Sequence, residues 1–275
     1  MIKVSYSADR FPVSLDKSSK KVQWGLSVVG LVGFFAIWEI TSVVLNLVPS
    51  TVLPGPSEIA SALIQFSEVI RVNARVTITS AGLGFVLAVL LGIGSAIGMA
   101  FSQRFRSTFY PIIVAGNTVP RIAIAPLIIF YLGDTSEQYA HIAIAASVAY
   151  FTITVNAYEG LSIEDEDRRM LMDVFDATFL QELRMVRLQQ ALPHIFDGLK
   201  VGVTLAVVGA VVGEFVAANQ GLGNLTLIAL DGFNIDIAFA AVATMVLISL
   251  ISFFTLFIIQ DRLIHWKPTS LFSGE

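Results

Sequence analysis

Two charges stand inside stretches that are otherwise uncharged, Arg121 within residues 107–133 and Glu214 within residues 201–230. A charge in a membrane-like interior is expensive and usually faces a partner or a water-filled cavity. The chemistry open to Arg121 is electrostatic. A guanidinium offers donors in a rigid fork and no acceptor, which suits an anionic or electron-rich solute. A pair with Glu214, or a side chain reaching for the interface, would satisfy the same charge without touching solute. The residues alone leave these alternatives open. Pro120, directly before Arg121, loosens the helix and frees a carbonyl. Asn117 and Asn156, with Thr118 and Tyr158, could add hydrogen bonds along a path, and Glu39 stands in a third apolar stretch.

Bond-making chemistry finds no foothold. The phosphate cradle G-x-x-x-x-G-K-[ST] is absent and none of the 6 lysines follows a glycine, so no ATP site is expected in this chain. No two of the 3 histidines stand at metal-ligand spacing, and G-x-S-x-G does not occur. The absence of cysteine removes disulfides and thiolate metal sites. No metal, no cofactor and no nucleic-acid partner is expected.

The elements that hold these residues are membrane helices. The chain is 55% apolar and only 14% charged, with a mean hydropathy of +0.77, against about 25% charged residues in soluble domains. Residues 76–103, 138–158 and 237–260 carry no charge at all. About 20 apolar residues cross a bilayer core, and the pattern predicts six helical spans near 25–47, 76–101, 108–132, 138–158, 199–218 and 237–260. The expected fold class is all-α, a polytopic membrane protein. The first apolar run is longer than a signal-peptide core and no cleavage pattern follows it. Lys and Arg are sorted by side. Thirteen fall on the face carrying both termini, the 102–107 turn and residues 164–193, and only Arg71 and Arg75 fall on the other. That bias places both termini in the cytoplasm. The expected organisation is a cytoplasmic tail 1–23, a transmembrane domain 24–262 with a cytoplasmic loop 160–193, and a second tail 263–275.

Small residues mark packing ridges. Ser80, Gly84, Ala88, Gly92, Ala96 and Ala100 recur every fourth residue, with Gly94 and Gly98 beside them. Gly198, Gly202, Ala206 and Ala210 repeat the device and lead to Glu214. Small side chains let membrane helices approach closely, either within the chain or at a subunit interface. Leu63, Ile64, Phe66, Val69 and Ile70 predict a short amphipathic helix on the outer interface, started at Ser57–Glu58. Residues 218–236 read as an outer loop dipping partly into the membrane.

Residues 164–193, "EDEDRRMLMDVFDATFLQELRMVRLQQALP", hold 11 of the 38 charged residues. Leu171, Val174 and Phe175 share one helical face, and Leu180, Leu183 and Val186 continue at spacings of three. Acids at 164–167 suit a helix N-terminus, and Arg184 and Arg187 suit the far end. Two short helices meeting around Asp176–Ala177 fit best, with an apolar face that docks on a cytoplasmic partner, on lipid headgroups or on its own bundle.

"LQQALPHIFDGLK" and the residues before it resemble the cytoplasmic loop of binding-protein-dependent ABC importer permeases. That pattern runs E-A-A-x-x-x-G, then an apolar stretch ending in L-P. The family glycine falls at Asp176 and E-A-A at Met170–Leu171–Met172. "STVLPGPSEI", "NTVPRIAIAPLIIFYLGD", "ITVNAYEGL" and "GAVVGEFVAANQGLGNL" resemble further family motifs in the same order. The similarity spans residues 35–262 and is greatest to the branch handling nitrate, sulfonates, taurine and bicarbonate, with thiamine-pyrimidine and riboflavin permeases as relatives.

The resemblance implies a type I ABC importer permease fold in a bacterial cytoplasmic membrane. It implies a second permease subunit, two ATPase subunits that hold ATP and Mg, and an external binding protein that delivers a small, anionic solute. Residues 164–188 would be the coupling helix. Leu171, Val174, Phe175, Ala177, Leu180 and Leu183 would supply apolar contacts, with Asp176 at the turn and Arg168, Arg169 and Arg184 on the polar rim. Asn117, Arg121, Asn156 and Glu214 would be the path candidates. A secondary transporter or channel working alone, or a non-transporting scaffold, remains the alternative from other classes.

Overall fold

The computed structural model describes residues 20–132, 137–163, 187–216 and 218–264, together with 170, 174–176, 178, 181 and 185; the side chains of residues 20–24, 121 and 137 are excepted. It divides into two compact units, Met1–Glu58 and Ile59–Glu275. Among the described residues the secondary structure is entirely helical.

In the first unit, α1 (Lys20–Glu39) runs into a π-helical turn, Ile40–Val44. Leu45 N–H reaches Ile40 O at 2.8 Å, and the Thr41 hydroxyl bonds back to Ile37 O and Trp38 O, each at 2.9 Å. Such inserted bonding wedges a helix open at its end. Leu26, Val29, Phe34 and Ile37 are exposed along α1, as an apolar helix facing lipid requires. Helix α2 (Pro56–Gln65) then begins with Pro at its first position, where the missing N–H costs nothing. The expected start at Ser57 is shifted back by one residue. Glu58 Oε2 accepts the Gly55 N–H at 2.9 Å, and Glu39 takes both the Ser57 hydroxyl (2.6 Å) and the Ser57 N–H (3.1 Å). Glu39 therefore caps α2, the partner that the sequence left open.

In the second unit, α3 (Ser67–Phe101), α6 (Glu137–Leu161) and α7 (Leu188–Val216) form the core, with α6 packed extensively against both others. Ala88 of α3, Ala146, Ala149 and Ile153 of α6 and Ala206 of α7 make one buried cluster. Ala81, Ala145, Val207 and Ala210 continue the seam in one direction, and Ala96, Ala157, Tyr158, Ala191 and Ile195 in the other. Lipid tails are as apolar as these side chains, so close contact rather than expulsion of water holds the seam together. The α6 ridge of Ala145, Ala149, Ile153 and Ala157 escaped the sequence analysis, although its four-residue spacing was visible.

The expected third span is not one helix. α4 (Gln103–Thr118) and α5 (Arg121–Leu132) meet at a break, with Gln103–Thr118 and Ile122–Leu132 bent by 106°. Pro120 lacks an N–H and forces the residue before it out of the helical region; Val119 is extended, with φ −71° and ψ 124°. Among the described residues five other helical stretches, Gly25–Val44, Ser67–Phe101, Gln138–Leu161, Leu188–Val216 and Ile235–Leu263, are long and apolar enough to cross a membrane, and the bent pair makes a sixth if taken as one span.

The expected outer loop 218–236 is in part helical. Residues 222–231 form a helix, α8 (Leu222–Asp231), ahead of α9 (Ile235–Leu263). Ala62 and Ile70, with Leu63 and Phe66 beside them, pack on Leu222 of α8 and on Ala240 and Ala241 of α9. The amphipathic stretch thus buries part of its apolar face in protein, because α8 presents a complementary apolar surface.

Candidate functional site

Glu214 lies on the seam ridge of α7, four residues beyond Ala210, and is only 1% exposed. Its Oε2 accepts the Gly223 N–H at 2.8 Å. The N–H before it, of Leu222, donates to Thr77 Oγ1 at 2.9 Å, and that of Gly221 to Asn73 Oδ1 at 2.8 Å. Three consecutive N–H groups at the start of α8 have no acceptor within the helix, and three side chains from α3 and α7 supply one each. Gly221 sits at φ +124°, and a Cβ there would strike the Glu214 carboxyl group. Only glycine passes between this carboxylate and the turn. The side chain of Asn224 closes the loop on the carbonyl of Ala218. Glu214, expected along a path, is therefore turned into the protein as a clamp on α8. Asn73 and Thr77 went unnoticed, since an Asn and a Thr in a polar helix start carry no signal of a distant partner.

The other path candidates are scattered. Asn156 on α6 is half-buried, donates from Nδ2 to Thr152 O at 2.8 Å and lies against Gly198. Asn117 is exposed near the end of α4. Arg121 opens α5 directly after the break, and its side chain lies outside the described residues. Tyr158 stacks under Arg106, with the guanidinium 5.4 Å from its ring centre, and sits beside Tyr110. Of the packing glycines, Gly84, Gly92, Gly198 and Gly202 all lie against α6, and Gly98 against Phe105. Gly94 has open space where a Cβ would stand among the described residues.

In the charged segment, Met170 and Val174 are helical, and Met170, Val174 and Phe175 are 67%, 76% and 74% exposed. Asp176 takes a left-handed backbone, φ +48°. Two residues on, Gln181 Oε1 accepts from both the N–H (2.8 Å) and the hydroxyl (2.9 Å) of Thr178, while Gln181 N–H reaches Thr178 O at 2.8 Å. T-x-x-Q is the pattern of a capping box, a local signal that the sequence carries at Thr178 and Gln181. Arg168, Arg169, Leu171, Ala177, Leu180, Leu183 and Arg184 lie outside the described residues.

A tightly seamed helical bundle with a broken third span and several long apolar helices defines a polytopic helical membrane protein. Residues 88–266 match the model of the binding-protein-dependent transport system inner membrane component family, and the chain belongs to that family. It is 32% identical over 240 residues to a probable ABC transporter permease of Haemophilus influenzae, covering 87% of this chain and 94% of that one. The formylaminopyrimidine transport permease ThiX of Halalkalibacterium halodurans is 29% identical, covering 84% and 91%. Relatives at 23–28% identity are named as permeases for taurine, aliphatic sulfonates, nitrate and bicarbonate. The fold is that of the permease in inward-facing MetNI methionine ABC transporter crystals, with a TM-score of 0.58 at 17% identity, covering 70% of this chain and 92% of that one. The protein is a permease subunit of an ABC importer, a membrane component that forms a translocation pathway.

Proposed function

We propose that this subunit is driven by two separate ATPase subunits, pairs with a second permease subunit, and receives a small anion from an external binding protein. The observation that carries this reading is the exposed row Met170, Val174 and Phe175 leading into the left-handed turn at Asp176. An apolar face on a bent, capped element is suited to a groove on another protein. When ATP draws the two ATPase subunits together, such an element would move with them and pull on α6 and α7, the helices at its two ends. ATP and Mg stay on the ATPase subunits. On this reading Leu171, Ala177, Leu180 and Leu183 would add apolar contacts to the ATPase, and Arg168, Arg169 and Arg184 polar ones. The thirteen-to-two distribution of Lys and Arg supports cytoplasmic tails 1–23 and 263–275, with the coupling loop 160–193 on the same side of the domain 24–262.

The anionic solute is supported by Arg121 beside the helix break and by the substrates named for the sulfonate, taurine, nitrate and bicarbonate permeases. Asn117 and Asn156 are the neutral path candidates, with Glu214 a clamp rather than a contact. The test is purification of the full complex. A P-loop ATPase should accompany the chain, and its turnover should rise with the loaded binding protein. Phe175→Asp should release the ATPase while leaving membrane insertion intact. Uptake of solute by this chain with no ATPase attached would refute the reading.

A further inference from the structure

At the end of the bundle where α3 and α6 begin and α7 ends, a cavity of about 480 Å³ opens between Arg75, Val76 and Thr79 of α3, Gln138 and His141 of α6, and Asn219 and Gln220. Its volume lies in the range of small-molecule pockets, about 300–1,000 Å³. Its lining offers one permanent cation, three side-chain amides and an imidazole, and among the described residues no carboxylate. Arg71, one turn earlier on α3, is already bound by Glu68 at 2.6 Å. Arg75 has no ion pair among the described residues.

The backbone that follows the Asn219–Gln220 side of the cavity is held in place. Asn219 and Gln220 directly precede Gly221, whose N–H is held by Asn73, with Thr77 and Glu214 holding the next two. His141 is 2% exposed and wedged against Gly213 of α7. A guanidinium without an ion pair among the described residues, beside the side-chain amides of Gln138 and Gln220, favours a negatively charged oxygen group. On the orientation proposed above, on which this inference rests, the cavity faces outward, at the end opposite the coupling segment.

We propose that this cavity is an outer anion site that takes the solute, through its oxyanion group, before the pathway opens, with Arg75 as its charge partner. A carboxylate of a docked protein would present the same chemistry, and the test separates the two sources. Full-length permease in neutral-lipid nanodiscs is titrated with sodium methanesulfonate, and binding is read by saturation transfer to the methyl protons. Dimethyl sulfone serves as the uncharged isostere. Wild type should bind methanesulfonate and not the sulfone. Arg75→Gln should weaken binding by at least about tenfold, the loss of one charge-assisted hydrogen bond. Arg71→Gln, outside the cavity, should bind as wild type does. Equal binding by Arg75→Gln, or equal binding of the sulfone, overturns the proposal. So does a wild type that ignores methanesulfonate while Arg75→Gln weakens capture of the external binding protein, which would make the cavity a docking notch. Because the titration needs no ATPase, failure of the transport reading shows separately, as a missing ATPase in the purified complex.

Discussion

Thr77→Val loosens the α8 clamp at one residue, removing the acceptor of the Leu222 N–H together with the hydroxyl's own donation toward Glu214 and Asn73 O. Valine keeps the size and β-branching of threonine, so packing around position 77 changes little and the lost hydroxyl dominates. Thr77 and Leu222 are both fully buried, and the N–H of Leu222 loses its acceptor at 2.9 Å. A stranded buried donor costs about 1–3 kcal/mol. Side-chain hydrogen bonds in membrane proteins average about 0.6 kcal/mol, with a maximum of about 1.7, because the opened state finds other partners. At the first residue of a helix no other partner is available, so the upper part of the membrane range applies, about 1–1.7 kcal/mol. That corresponds to a roughly 5- to 18-fold larger open population of α8. Hydrogen exchange on the purified permease, with opening faster than exchange, reads it directly. Protection should fall by that factor in peptides covering residues 222–231 and stay unchanged in those covering 237–260. Unchanged protection over 222–231, or an equal loss in both regions, would refute the reasoning.

Gly221→Ala should be harsher than Thr77→Val, because φ +124° is strained for alanine and the added methyl meets the Glu214 carboxyl; a thermal midpoint no lower than that of Thr77→Val would contradict this. Gly84→Ala places a methyl 2.9 Å from Ile142 O and against Ala145, and should destabilise the purified chain by about 1–3 kcal/mol. Gly94→Ala, with open space around it, should leave the isolated chain as stable or up to about 1 kcal/mol more stable; the same thermal melts check both. Asp176→Gly relieves a left-handed aspartate at φ +48° and should keep ATPase stimulation in the purified complex. Asp176→Val, at a cost of about 1–2 kcal/mol for that backbone, should impair it.

The parts of this fold that were legible are those whose causes are local. A membrane span declares itself through some twenty neighbouring side chains, and a small-residue ridge through spacing on one helix, so α3, α6, α7 and α9 could be drawn from the sequence. Pro120 announced a weakness in the third span because its missing N–H is a property of one residue. The 106° bend was not legible, since α6 and α7 hold α5 in place from outside it. Residues 58–70 show the limit from another side: an amphipathic pattern is the same whether its apolar face meets lipid or Leu222, Ala240 and Ala241. Helix α8 is the clearest case. Gly221, Gly223 and Asn224 are poor helix material, and by local propensity the stretch reads as a loop. It is helical because Thr77 and Asn73, 145 and 148 positions earlier, accept the N–H groups that a solitary helix start would leave stranded. Such a contribution is invisible to any reading that moves along the chain. The residues that carry it, an asparagine, a threonine and a buried glutamate, also fix the loop that walls the outer cavity. The least legible element is therefore the one on which the anion site depends.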